Sequence, residues 1–342
     1  MNTGIILGIL LIATGALSSG SFAVPFGKVK NWKWETSWLI FSVGAYIIFP
    51  LTACFIFAPD FSTILKAVDK STIFKVFIFG AIYGVGNLSF GLALRYLGLS
   101  LGYALSLGLM LAIGTLIPPL MDGRLQAMLQ HDNGMLLIWG VLIALLGTAF
   151  SAGAGYLKDK TRQGNTGGFD LRKGVLSAIL VGFTGSAMSL GFEQGEPVAA
   201  MALRSGVDSL FTIMPVLLVL LSGTFVTTLI WCIYLGWKSK SLKDYTTAET
   251  PAMLTSNYLL SLSAGLLWFS QFILFGMGKS KMGPYTFTSW GILMALTIAF
   301  ATIWGLIRNE WKGASFKTYL LMLCSLIILI VSAFMIGISG SE

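Results

Sequence analysis

The sequence predicts an all-α integral membrane protein of ten transmembrane helices, arranged as two inverted five-helix repeats. Composition, ten apolar runs of spanning length and a residue pattern shared by the two halves predict it. Of 342 residues, 56% are hydrophobic and 11% charged, where soluble domains carry roughly 25% charged residues. The 40 glycines would weaken helices in water, but glycine is common in membrane helices, where it permits close packing.

A run of about 20 apolar residues at 1.5 Å rise crosses a ~30 Å hydrocarbon core. Such runs fall near 4–23, 38–58, 73–94, 99–120 and 135–155, then near 174–193, 211–237, 256–276, 285–307 and 318–338. The first lacks a positive leader and a small-x-small cleavage site, so it reads as a retained helix rather than a secretory signal. Residues 156–173 are the most polar stretch and rich in glycine, a linker by composition. They separate a first repeat over 1–155 from a second over 174–342.

The halves share spaced residues. Thr14, Gly15, Ser19 and Phe22 recur as Thr184, Gly185, Ser189 and Phe192. At a second offset, Gly80, Phe90, Gly91 and Gly98 recur as Gly265, Phe275, Gly276 and Gly283, with Tyr83 opposite Trp268. Five spans per half is an odd number, so the second half starts from the opposite side of the bilayer. That inverted arrangement is typical of secondary transporters.

Basic residues set the orientation. Fifteen of the 22 lysines and arginines fall in the loops after the odd-numbered spans, Lys158, Lys160, Arg162, Arg172 and Lys173 among them, and seven on the other face. The linker is therefore cytoplasmic and both termini lie outside the cytoplasm. The net charge of +8 resides in these scattered loops, not in one stripe, which argues against a nucleic-acid partner. Small-xxx-small pairs such as Gly80/Gly84 and Gly191/Gly195 predict close helix crossings. Pro50 and the Pro118-Pro119 pair sit where they kink or end a helix.

Enzymatic constellations are nearly absent. His131 is the single histidine, and no HExxH or P-loop pattern occurs. Cys54, Cys232 and Cys324 lie singly in apolar runs, so neither a disulfide framework nor a metal site is indicated, and no cofactor is expected. The informative residues are polar and aromatic groups at membrane depth. Counting from residue 73, Tyr83 and Asn87 fall near ~15 and ~21 Å; counting from 256, Trp268 and Gln271 fall near ~18 and ~22 Å. An amide donates and accepts together while a ring covers an apolar sugar face, which suits a neutral hydroxylated ligand. Interhelical hydrogen bonding by the same amides is the competing reading. Tyr103, Ser106, Ser289 and Trp290 are further candidates for the pocket.

Charge narrows the substrate. No lysine or arginine falls in mid-span, so a phosphorylated substrate would lack a counter-charge. Proton coupling needs a titrating group, and the candidates are Glu193 at the end of the sixth span, Glu35 opening the second and Asp208 before the seventh. The commoner role for each is an interfacial charge or a helix-terminus contact.

Several stretches carry a family resemblance: VPFGKVKNWKWETSW (24–38), FIFGAIYGVGNLSFGLALRYLGLSLGYALSLG (77–108), SGVDSLF (205–211) and LLWFSQFILFGMG (266–278). With TSW at 288–290 and NEW at 309–311, they resemble the bacterial L-rhamnose-proton symporters of the drug/metabolite transporter superfamily, over nearly the whole length. The resemblance implies that superfamily's ten-helix inverted-repeat fold. It also implies proton-coupled uptake of L-rhamnose or a close neutral 6-deoxy sugar, with Asn87, Trp268 and Gln271 in matching segments. A carrier or exporter of another neutral metabolite in the same superfamily is the alternative. Two positions depart from the pattern: Tyr83 stands where the resemblance implies tryptophan, and Glu193 where it implies an amide.

Overall fold

The computed structural model describes residues 3–97, 99–121, 123, 132–162, 170–282, 286, 288–308 and 311–338. Ten helices among the described residues are long and apolar enough to cross a membrane, and no strand accompanies them. They are α1 (Thr3–Ser21), α2 (Trp34–Phe57), α3 (Lys70–Leu97), α4 (Leu99–Met121) and α5 (Asp132–Arg162). Then follow α6 (Leu171–Gln194), α7 (Met214–Lys238), α8 (Pro251–Lys279), α9 (Thr288–Ile307) and α10 (Phe316–Ile338). Every expected span is present. Lipid offers the backbone no hydrogen-bond partner, so a long apolar run has to satisfy its amides within its own helix.

Helix starts are written locally. Asp170 caps α6 by accepting from the Lys173 amide at 3.0 Å, and Thr250 caps α8 by accepting from Met253 at 3.2 Å, with Pro251 next. Those bonds to Lys173 hold the exposed Asp170 carboxyl below the usual carboxylate range. The linker is shorter than its composition suggests. α5 runs on to Arg162 and α6 opens at Leu171, because a helix leaving the hydrocarbon keeps its backbone bonds whatever its side chains. Residues 163–169 lie outside the described residues, as do Gly98, Arg124, His131 and Gly283.

Pro50 acts as a register shifter rather than a stop. Its missing N–H cannot bond to the Tyr46 carbonyl one turn back. Over Gly44–Ile48 the helix opens into a π turn, closed by the Phe49 amide on the Gly44 carbonyl, and α helix resumes at Phe49.

The two halves interleave. α1 packs on α8 and α9, while α6 packs on α3 and α4; likewise α2 packs on α8 and α7 on α3. One contact recurs at the offsets seen in the sequence. A Cβ on Gly15 would stand 2.9 Å from the Gln271 carbonyl, and one on Gly86 would stand 3.0 Å from the Gly185 amide. Gly15 pairs with Gly185 and Gly86 with Gln271 under those offsets, so both are the same helix contact. The α3/α7 crossing is tighter still. A Cβ on Gly80 would overlap the Leu220 carbonyl, and Thr224 Oγ1 donates across the seam to the Gly80 carbonyl at 2.9 Å.

At the N-terminal ends of α2 and α8, residues 30–37 are strapped to residues 239–257. The buried Asn257 donates to the Lys30 carbonyl at 2.8 Å and accepts from its amide at 3.1 Å. Asp244 accepts from the Lys33 amide at 3.1 Å and from Thr36 Oγ1 at 3.2 Å, capping α2 from another segment. The carboxylate of Glu35, 8% exposed, accepts from Ser241 Oγ at 2.8 Å and from Ser239 Oγ. Burial pushes the nearby Tyr245 phenol well above its usual range.

Candidate functional site

Between the interleaved helices lies a cavity of about 60 Å³, several times the roughly 10–15 Å³ that one water needs. Tyr83 and Asn87 reach it from α3, Trp268 and Gln271 from α8, and Trp290 from α9. Five of the residues singled out in the sequence therefore meet in one place. Phe22, Trp38, Phe90 and Phe272 add rings; Ser19, Tyr46 and Thr297 add hydroxyls; Leu107, Met110, Val181 and Met294 supply an aliphatic wall. None of these lining residues is charged.

Hydrogen bonds set the orientation of the amides. Asn87 Nδ2 donates to the Tyr46 hydroxyl at 3.1 Å. Gln271 Nε2 donates to the Trp268 carbonyl of its own helix at 2.7 Å, which turns the amide oxygen the other way. The Trp268 ring is held edge-to-face by Tyr46 at 5.1 Å, Phe41 at 6.0 Å and Phe272 at 4.9 Å, and edge-to-face pairs resist tilting. Trp290 Nε1 donates to the Met110 carbonyl at 3.4 Å, tying α9 to α4.

Towards the C-terminal end of α6 the cavity is walled by a ring cluster. Phe192 lies 5.2 Å from Phe275, 6.1 Å from Phe272 and 6.4 Å from Trp290. Beyond it, Lys279 Nζ sits 6.0 Å over the Phe192 ring and 2.7 Å from Glu196 Oε1. At the other end, Trp38 stacks on Trp34 at 4.9 Å and meets Phe26 at 5.7 Å.

The remaining candidates stand elsewhere. Ser106 and Ser289 are fully buried but outside the cavity lining. Each precedes a lining residue, Leu107 or Trp290, and one step along a helix turns a side chain by 100°. The side chain of Tyr103 lies outside the described residues. Among the carboxylates, Glu35 belongs to the strap, and the exposed Asp208 accepts from the Leu210 amide at 2.8 Å as a turn contact. Glu193 is half-buried at the C-terminal end of α6. The sequence reading missed Tyr46 and Trp38. Only the aromatic character of Trp38, Phe41 and Tyr46 within one span could have pointed to them, and their helical spacing is irregular.

Ten apolar helices enclosing an uncharged cavity of rings, amides and hydroxyls define a multi-pass membrane transporter. The sequence model of the family described as L-rhamnose-proton symport protein matches residues 1–341. The chain belongs to that family. The L-rhamnose-proton symporter of Yersinia pestis is 33% identical to it over 341 residues, spanning 99% of each chain. Its counterpart in Citrobacter koseri is 33% identical over 341 residues, spanning 98% of each.

Proposed function

We propose that this protein carries L-rhamnose, or a closely related neutral 6-deoxy sugar, into the cell together with a proton by alternating access. The observation that carries this reading is the cavity. Tyr46, Asn87 and Gln271 offer donors and acceptors for hydroxyls, Trp268 and Trp290 offer ring faces, and no lining side chain offers a charge. The family and the names of its relatives supply the sugar and the proton. The fold proposed is that of the drug/metabolite transporters, with inverted repeats over 1–155 and 174–342 about a cytoplasmic linker. Its support is the recurrence of the Gly15–Gln271 contact as Gly185–Gly86. The excess of basic residues on one face supports an inner-membrane protein with both termini periplasmic.

Coupling is proposed to run through Glu193. It adjoins Phe192, whose ring belongs to the cluster that walls the cavity, on the side assigned to the periplasm. A proton moving inward across 100 mV releases ~2.3 kcal/mol, enough for roughly 45-fold accumulation of a neutral solute.

Uptake into proteoliposomes, with and without an inward proton gradient, tests both statements using L-rhamnose, L-fucose, L-lyxose and mannose. L-rhamnose is expected to accumulate only with the gradient; absence of L-rhamnose uptake under any gradient would reject the substrate. Glu193→Gln is expected to remove accumulation and retain counterflow exchange. Unchanged accumulation in that variant would clear Glu193 of the role, and the same measurement on Glu35→Gln would then decide on the strap carboxylate.

A further inference from the structure

Tyr46 owes its position to the π turn. In an unbroken α-helix, residues 41 and 46 would point about 140° apart, since five steps of 100° make one turn and 140° more. A π turn closes i→i+5 bonds and so absorbs one extra residue, which brings residue 46 round to the place of i+4. Trp38, Phe41 and Tyr46 then share a face: Trp38 and Phe41 rings are 4.9 Å apart, and Phe41 and Tyr46 rings 5.8 Å. Trp38 and Tyr46 both line the cavity. The turn sits just ahead of Pro50, so the sequence encodes this register.

The Tyr46 ring is 1% exposed, wedged against Phe41 and Trp268, while its hydroxyl accepts from Asn87 Nδ2. A phenol that accepts one hydrogen bond still has its own hydrogen to donate. Among the described residues no protein acceptor takes that hydrogen, and the group borders the cavity. Turning the Asn87 amide over would only exchange the roles, leaving the amide nitrogen as the donor in place of the phenol. In either arrangement the Tyr46–Asn87 pair holds at least one donor in reserve, at the edge of the cavity among aromatic rings. A buried donor without an acceptor is costly, and a hydroxylated ligand supplies the acceptor.

We propose that Tyr46 is a substrate-binding residue, its phenol donating a hydrogen bond to one oxygen of the neutral polyhydroxylated ligand while Asn87 holds it in place. The inference rests on the sugar-carrier reading of the cavity. It adds a third helix, α2, to the two that carry the amides, and it gives the π turn a purpose. The bond also joins α2, which packs on α7 and α8, to α3, which packs on α6 and α7.

Tyr46→Phe in the full chain tests the assignment, because phenylalanine keeps the ring and its volume and removes only the hydroxyl. Binding of L-rhamnose and of its monodeoxy analogues to purified wild-type and variant protein would be measured by calorimetry, with a thermal melt of each. The variant is expected to melt like wild-type and to bind L-rhamnose about tenfold more weakly. One analogue, lacking the oxygen that Tyr46 addresses, should bind wild-type about tenfold more weakly than L-rhamnose yet lose nothing further in the variant. A variant that binds L-rhamnose as wild-type does, or that weakens every analogue by the same factor, overturns the assignment alone. Wild-type protein that binds none of these sugars overturns the sugar-carrier reading itself.

Discussion

Replacing Gln271 by alanine is expected to weaken L-rhamnose binding by between about fivefold and 150-fold while leaving the melting temperature nearly unchanged. The two effects separate because of where the amide bonds. Its nitrogen donates to the Trp268 carbonyl of the same helix, and α8 keeps its backbone bonds without that donation. Its oxygen is the part offered to a ligand, and stranding a sugar hydroxyl in a dry site costs about 1–3 kcal/mol, the basis of that range. Asn87→Ala is expected to lose binding to a similar degree with a slightly larger stability cost, since it also strips Tyr46 of its partner. The check is calorimetric affinity beside a thermal melt. Normal affinity in a protein that melts early would show that these amides serve helix packing and not the sugar.

The second large effect concerns folding. Gly80→Ala should destabilise the protein by about 3 kcal/mol or more, towards the upper end of overpacking costs. The added methyl meets backbone, the Leu220 carbonyl, and backbone cannot swing aside as a side-chain tip can. The Thr224 bond to Gly80 would be lost as the helices part. Gly153→Ala is the matching control, because a Cβ there meets nothing within 4 Å. It is expected to be neutral or to stabilise by up to about 1 kcal/mol. Both are read from thermal melts and the yield of monodisperse protein in detergent; equal behaviour of the two variants would refute the close crossing of α3 and α7.

These cases show what a sequence of this kind makes legible. The ten spans were readable because lipid imposes one demand on every segment that crosses it, and the demand is written in consecutive residues. That Tyr83, Asn87, Trp268, Gln271 and Trp290 come together at one cavity was legible because polar and aromatic groups at mid-depth need a reason to be there. Ser106 and Ser289 fall outside that lining for want of helix phase, since composition gives depth but not rotation. Tyr46 escaped because its phase depends on the π turn before Pro50, and an α-helical count places it on the wrong side. The strap of Asn257, Asp244 and Glu35 left no local pattern at all. Its bonds join segments more than 200 residues apart, and such pairings have no periodicity.

That strap has a consequence for how the protein is made. The partner that fixes Lys30 is Asn257, 227 residues later in the chain, which synthesis at 5–20 residues per second delivers ~10 to 45 s afterwards. α1 waits longer still, since it packs on α8 and α9. The first helices to enter the bilayer therefore spend most of translation without their native neighbours, and the molecule closes only when its last third arrives.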